Sequence, residues 1–277
     1  MRRATHEPPL ERANVGATVG PRLRLIALPT EHGGWGLLLE PIALGLAVAP
    51  SQTGLFLGLA AIAGFLTRQP LKIALADRRR RVRYPRTILA ERFALLHGAV
   101  ALLALVLALR TAGAAATVAL LAAVSLVLVQ FGYDLRNQQR RLAPELTGAA
   151  ALSMMAPAIA LAGGWTPAPA VALWVVLMAR AAPAILYVRA RLRQMRGVSA
   201  PATPPLLAHA AGLVVVGALT AVHLVPWIAV PAFAVLLVRA VYGLLPGRPI
   251  VRPAVVGVQE LAYGVLLIVV LAIGYLR

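Results

Sequence analysis

Nine acidic residues and five histidines are the groups that a chain of 277 residues, 60% hydrophobic, offers for proton chemistry at or below neutral pH. The few that fall inside or beside apolar stretches are therefore the first candidates for function. Glu31 and His32 put a carboxylate next to an imidazole, and Glu40 follows two turns later. These three are the candidates for acid–base catalysis. Glu260, His97 and His209 also lie in apolar runs, and a carboxylate in such a run must be neutral or paired. Arg68 and Arg180 are the candidate partners. A second chemistry is written in the stretch Thr67–Thr87, where Arg68, Lys72, Arg78, Arg79, Arg80, Arg81, Arg83 and Arg86 face a single acid, Asp77. Guanidinium groups bind phosphate oxygens bidentately. Arg68, Lys72, Arg180 and Arg189 are expected to grip an anionic head group, with Asp77, Arg86, Tyr187, His97, His209 and Glu260 completing the binding site. Each has a structural alternative. Arg68, Lys72 and Arg239 could extend to lipid phosphates, Glu145 could complement a helix N-terminus, and the histidines could simply pack.

These residues must be positioned by helices in a membrane. The mean hydropathy is +0.82, far above that of a soluble domain. Nine apolar runs are expected to span, at about 33–50, 53–70, 93–110, 115–133, 146–163, 169–187, 205–223, 226–245 and 255–275. They form one membrane domain, 29–277, preceded by a partly disordered tail, 1–28, that has no signal-peptide pattern. Pro157, Pro183 and Pro231 predict kinks. The net charge of +18 suggests nucleic acid until the charges are placed. They concentrate in the tail and in expected loops at 67–92, 134–144, 188–204 and 239–253, which excludes that partner class and puts the N-terminus in the cytoplasm and the C-terminus outside. Trp165, Trp174 and Trp227 then fall at the outer interface. Without cysteine, the chain has no disulfides, thiolate metal sites or cysteine nucleophiles. Nothing in it sets an oligomeric state.

Two scarce polar positions recur at an offset of 112, Arg68 with Arg180 and His97 with His209. That spacing suggests two parallel four-helix units followed by a ninth helix. The polar groups crowd into the inner half of the spans, which predicts a water-accessible cavity open to the cytoplasm and closed outside. A channel would need polar groups along its whole length.

The segment with Glu31, His32, Gly33, Trp35 and Pro41, followed by the basic stretch through Pro85, resembles the YwiC-like family of bacterial membrane proteins. The whole plan is also similar to the UbiA-type prenyltransferase superfamily. That resemblance implies nine helices, an inward N-terminus, and active-site loops after the second and sixth helices, in which Asp-rich motifs hold Mg²⁺ on an isoprenoid diphosphate. Here Gln69, Pro70 and Ile73 stand where the first motif would be, and only Asp77 survives. Tyr84-Pro85-Arg86 sits near the superfamily's Arg-Pro, and the second loop offers Tyr187, Arg189, Arg191, Arg193 and Arg196 without an Asp. One Asp among eight cations repels a dication, so Mg²⁺ is a doubtful cofactor and none is expected.

The reading that follows is an all-α integral membrane protein of the bacterial cytoplasmic membrane. It would bind a membrane lipid or an isoprenoid phosphate-like ligand, or act as a non-canonical prenyltransferase. The alternatives are a carrier with Glu40 and Glu260 as protonation sites, and a structural component of a membrane complex.

Overall fold

The computed structural model describes residues 23–28, 32–136, 138, 141–247 and 249–277, apart from the side chains of Arg24, His32, Asp134 and Leu135. All regular structure among these residues is helical. In chain order the helices are α1 (Leu23–Ala27), α2 (His32–Val48), α3 (Gln52–Arg79), α4 (Pro85–Thr111), α5 (Ala114–Leu135) and α6 (Leu142–Ser153). They continue with α7 (Met155–Ala162), α8 (Pro167–Met195), α9 (Thr203–Ala221), α10 (Ala229–Leu244) and α11 (Pro253–Leu276).

Every expected span is found as a helix, but the lengths differ. Among the described residues seven are long and apolar enough to cross a membrane: α3, α4, α5 from Ala114 to Tyr133, α6 and α7 taken together, α8, α9 and α11. α2 and α10 are apolar but shorter, with 17 and 16 residues, where about 20 are needed for a full hydrocarbon crossing. The fifth expected span is broken at Met154. Pro157 explains the break, since its ring excludes the carbonyl of Ser153 and it has no N–H to give. Pro231 does not kink the eighth span, because α10 begins at Ala229 and the proline falls in its first turn.

The largest departure concerns the two basic stretches expected as loops. α3 continues through Lys72 and Asp77 to Arg79, and α4 starts at Pro85, leaving a five-residue turn in which Arg81 takes φ 55°. Likewise α8 runs on through Arg189 and Arg191 to Met195. Alanine, leucine and arginine are good helix formers, and nothing stops a helix where it leaves the apolar zone. The expected loops are therefore mostly polar extensions of spanning helices. The part of the tail that is described, α1, packs Ile26 against Ala74 of α3 and Ala90 of α4.

Contacts between turns define the two ends of the bundle. At one end Thr53 and Thr111 share a 2.7 Å hydrogen bond, Trp165 lies against the Tyr275 ring, and the Tyr275 hydroxyl donates to the Leu224 carbonyl at 3.1 Å. The other end carries the α3–α4 turn, the α8–α9 and α10–α11 connections, and the starts of α2 and α11. The main core lies between α2, α7, α8, α9, α10 and α11, around Leu44, Leu173, Val176, Val216 and Leu271. α4 and α5 leave Leu95, Leu102, Leu103, Leu121 and Leu128 exposed, a leucine-rich outer surface suited to lipid.

Candidate functional site

Arg180 is the centre of the site. Its position on α8 faces the bundle interior, where it is 6% exposed. One guanidinium nitrogen lies 3.1 Å from Glu40 Oε1 of α2 and donates at 2.7 Å to the backbone carbonyl of Glu260 on α11. The Glu40 contact is an ion pair without hydrogen-bond alignment, so Oε1 has no true donor. Gly264 makes this packing feasible. A Cβ there would collide with the Glu40 carboxylate and come within 2.7 Å of the Arg180 guanidinium.

A second pair lies next to the first. Arg239 of α10 is ion-paired with the Glu260 carboxylate, and its guanidinium stacks 3.9 Å over the Tyr187 ring and 5.1 Å from that of Tyr263. Tyr187 is buried because α10 offers Gly243, whose missing side chain leaves room for the phenol hydroxyl. His209 of α9 stands edge-on to Tyr187 with centroids 6.4 Å apart, and its Nδ1 meets the Pro205 carbonyl at 2.7 Å. A carbonyl only accepts, so Nδ1 carries the proton. The result is a charge-balanced cluster of two carboxylates and two guanidiniums, drawn from α2, α8, α10 and α11, with aromatic groups on one side.

The cluster floors a cavity of about 450 Å³ between α2, α8 and α11. Glu40, Arg180 and Glu260 line it with Leu37 and Leu261, and Gly33, Pro253 and Val188 mark its mouth at the arginine-bearing end. The glycines of α2 and Gly257 of α11 leave the space open, and a Cβ on Gly33 or Gly257 meets no atom within 4 Å.

The remaining expected site residues lie apart from this cavity. Asp77, buried in the α3–α4 hairpin, accepts from the Thr87 hydroxyl at 2.6 Å and from Arg86 Nε and a terminal guanidinium nitrogen at 3.3 and 3.1 Å. Thr87 also accepts from the Tyr84 amide at 3.0 Å, so this acid ties the turn together. Arg68 and Lys72 are half-buried on α3 and do not line the cavity. His97 stacks on Phe93 with centroids 5.8 Å apart. Arg189 pairs with Glu145 at 2.9 Å, which joins α8 to the start of α6. Glu31 and the His32 side chain lie outside the described residues. The expected single head-group grip is thus divided: Arg180 and Glu260 meet Glu40 at the cavity, while Arg68, Lys72, Asp77 and Arg86 belong to the α3–α4 hairpin.

Two participants were not expected. Arg239 looked like a residue that extends to lipid phosphates, yet it is an internal partner; the signal was that Glu260 needs a cation. Trp174, expected at an interface, donates its indole N–H to the Ala150 carbonyl at 3.1 Å beside the α6–α7 break.

Residues 28–160 match the family model described as YwiC-like protein. This stretch is YwiC-like. It contains Glu40, the whole α3–α4 hairpin and Glu145, whereas Arg180, Tyr187, His209, Arg239 and Glu260 lie beyond it. The YwiC-like region therefore contributes one wall of the cavity, and the rest of the chain supplies Arg180 and Glu260. Neither a curated protein nor a solved structure matches the chain.

Proposed function

We propose that this chain is a nine-span protein of the bacterial cytoplasmic membrane, with the N-terminus inside, that binds the anionic head of a lipid-tailed ligand in the cavity between α2, α8 and α11. The charge distribution supports this orientation, because the arginine-rich turns gather at one end. The two short helices α2 and α10 would be completed as spans by their flanking residues or by local thinning. The repeat suggested by Arg68 and Arg180 is part of the same proposal, as is the UbiA-like plan.

The observation that carries the reading is the Arg180–Glu40 pair at the floor of an otherwise mostly apolar cavity. Burying two ion pairs is a poor way to gain stability, because apolar replacements are often as stable. An anionic head could take Arg180 from Glu40, whose Oε1 holds it without an aligned hydrogen bond, while the apolar walls hold the tail. No metal is needed for this grip. Binding, and not prenyl transfer, is the proposal, since a cluster whose two guanidiniums are balanced by two carboxylates lacks the cationic surplus that a leaving diphosphate requires.

The test uses purified protein with farnesyl phosphate and farnesol as probes, read by native mass spectrometry and ligand-induced melting shifts. Farnesyl phosphate should bind at least about tenfold more tightly than the alcohol, as one charge-assisted hydrogen bond implies. Gly257→Phe should abolish binding by filling the cavity. Equal binding of the two probes, or wild-type affinity in Gly257→Phe, refutes the reading.

A carrier is the second reading, favoured because both Glu40 and Glu260 line one cavity. It requires proton-driven uptake in proteoliposomes that Glu40→Gln and Glu260→Gln each abolish.

A further inference from the structure

Arg191 lies near the end of α8 and is only 8% exposed. It donates at 2.8 Å to the backbone carbonyl of Pro249. Arg180, Arg189 and Arg239 each have a carboxylate partner, but among the described residues no carboxylate pairs with Arg191. With one neutral acceptor, most of the Arg191 donors are left to the open space beside it, and none of its nitrogens is among the buried unpaired atoms of the described residues. Fastening a loop to a carbonyl would need only a neutral donor.

Arg191 lines a second cavity, of about 420 Å³, at the arginine-bearing end of the bundle. Gln194, Met195 and Ser199 bound it on the α8 side, and Leu244, Leu245 and Ile250 on the α10–α11 side. It shares no lining residue with the cavity that holds Glu40 and Arg180. Among the described residues no carboxylate lines it, and part of its rim is apolar: Ile250 is 78% exposed and Leu245 46%. The site thus offers a buried guanidinium, a hydroxyl and an apolar edge at the arginine-bearing end of the bundle, while the Gln194 amide donates to the Ala200 carbonyl at 3.3 Å.

We propose that this cavity is a binding site for the phosphate group of an anionic phospholipid, with Arg191 on the phosphate and Ile250, Leu245 and Met195 along the start of the tail. The apolar rim selects the lipid over free phosphate. This site stands independently of the reading for the α2–α8–α11 cavity, and Gly257→Phe should leave it intact.

The experiment titrates the purified full-length chain, in phosphate-free buffer, with mixed micelles containing phosphatidylglycerol or phosphatidylcholine and counts bound lipids by native mass spectrometry. Phosphatidylglycerol should be retained, and Arg191→Gln should weaken it by about ten- to a hundredfold, the worth of a charged hydrogen bond. Arg191→Lys should recover part of the loss, because an ammonium restores charge without the fork. Ser199→Trp should lower the affinity as well, since it fills the cavity from an exposed position and leaves the Arg191–Pro249 bond alone. Exposed Arg193 serves as the control, and Arg193→Gln should change nothing. If Arg191→Gln does not fold, Ser199→Trp decides alone. Wild-type affinity in Ser199→Trp, equal retention of the two lipids, or displacement of the lipid by millimolar inorganic phosphate overturns the proposal.

Discussion

Replacing Arg180 by Gln removes both contacts at the centre of the bundle, the 3.1 Å pairing with Glu40 and the 2.7 Å bond to the Glu260 carbonyl. Glu40, 7% exposed, then keeps a carboxylate with no cation beside it. Breaking a buried pair from one side costs about 3–5 kcal/mol, or roughly two to three and a half decades in the folding equilibrium. Glu40→Gln should cost about as much, because it leaves the Arg180 charge buried with only the neutral Glu260 carbonyl. The double substitution should be less harmful than the sum by about 1 kcal/mol or more, as expected for groups that share a contact. Reversible unfolding in mixed micelles titrated with SDS, followed by tryptophan fluorescence, measures all three variants. Strict additivity, with Arg180→Gln within about 0.5 kcal/mol of wild type, would refute the reasoning. The pair would then be solvated rather than buried, and would not form a buried floor to the cavity.

The α3–α4 turn permits a contrast between an ion pair whose carboxylate is buried, although its Arg86 is half exposed, and one in which neither partner is buried. Asp77→Asn removes a charged acceptor shared by Thr87 and Arg86 and should destabilise the hairpin by about 1.5–3 kcal/mol, whereas Arg78→Ala breaks a pair whose arginine is 71% exposed and should cost under about 1 kcal/mol. Tryptic cleavage of the turn at Arg80–Arg83, faster only in Asp77→Asn, is the readout. Orientation is tested by single cysteines, which no native cysteine confuses. Those at Ser51 and Gly164 should react with an impermeant thiol reagent from outside, and one at Thr203 only after permeabilisation; the reverse pattern would invert the topology.

Much of this protein was legible without coordinates. A run of some twenty apolar residues has few options other than a helix in lipid, so the order and approximate limits of the helices follow from composition and length. Arginine cannot rest in hydrocarbon, and the clusters therefore mark one end of the bundle. The same reasoning showed that Glu40 and Glu260 need partners, and Arg180 was among the candidates.

Which partner, and in what setting, only the tertiary structure decided. Glu40 meets Arg180 across 140 positions of chain, while Arg68, its other candidate, lies on a helix that pairs with α4. Nothing in the sequence marked Gly264 and Gly243 as the openings that admit an ion pair and a tyrosine hydroxyl. The basic stretch became two helix ends closed by Asp77 and Thr87, because local helix propensity continued past the apolar zone and a buried carboxylate fastened the turn. The physical reason is the same in each case. Helices that are apolar on nearly every side carry almost no periodic signal of which face turns inward, so the neighbours of a buried charge depend on how those faces pack, and packing is a property of the assembled bundle.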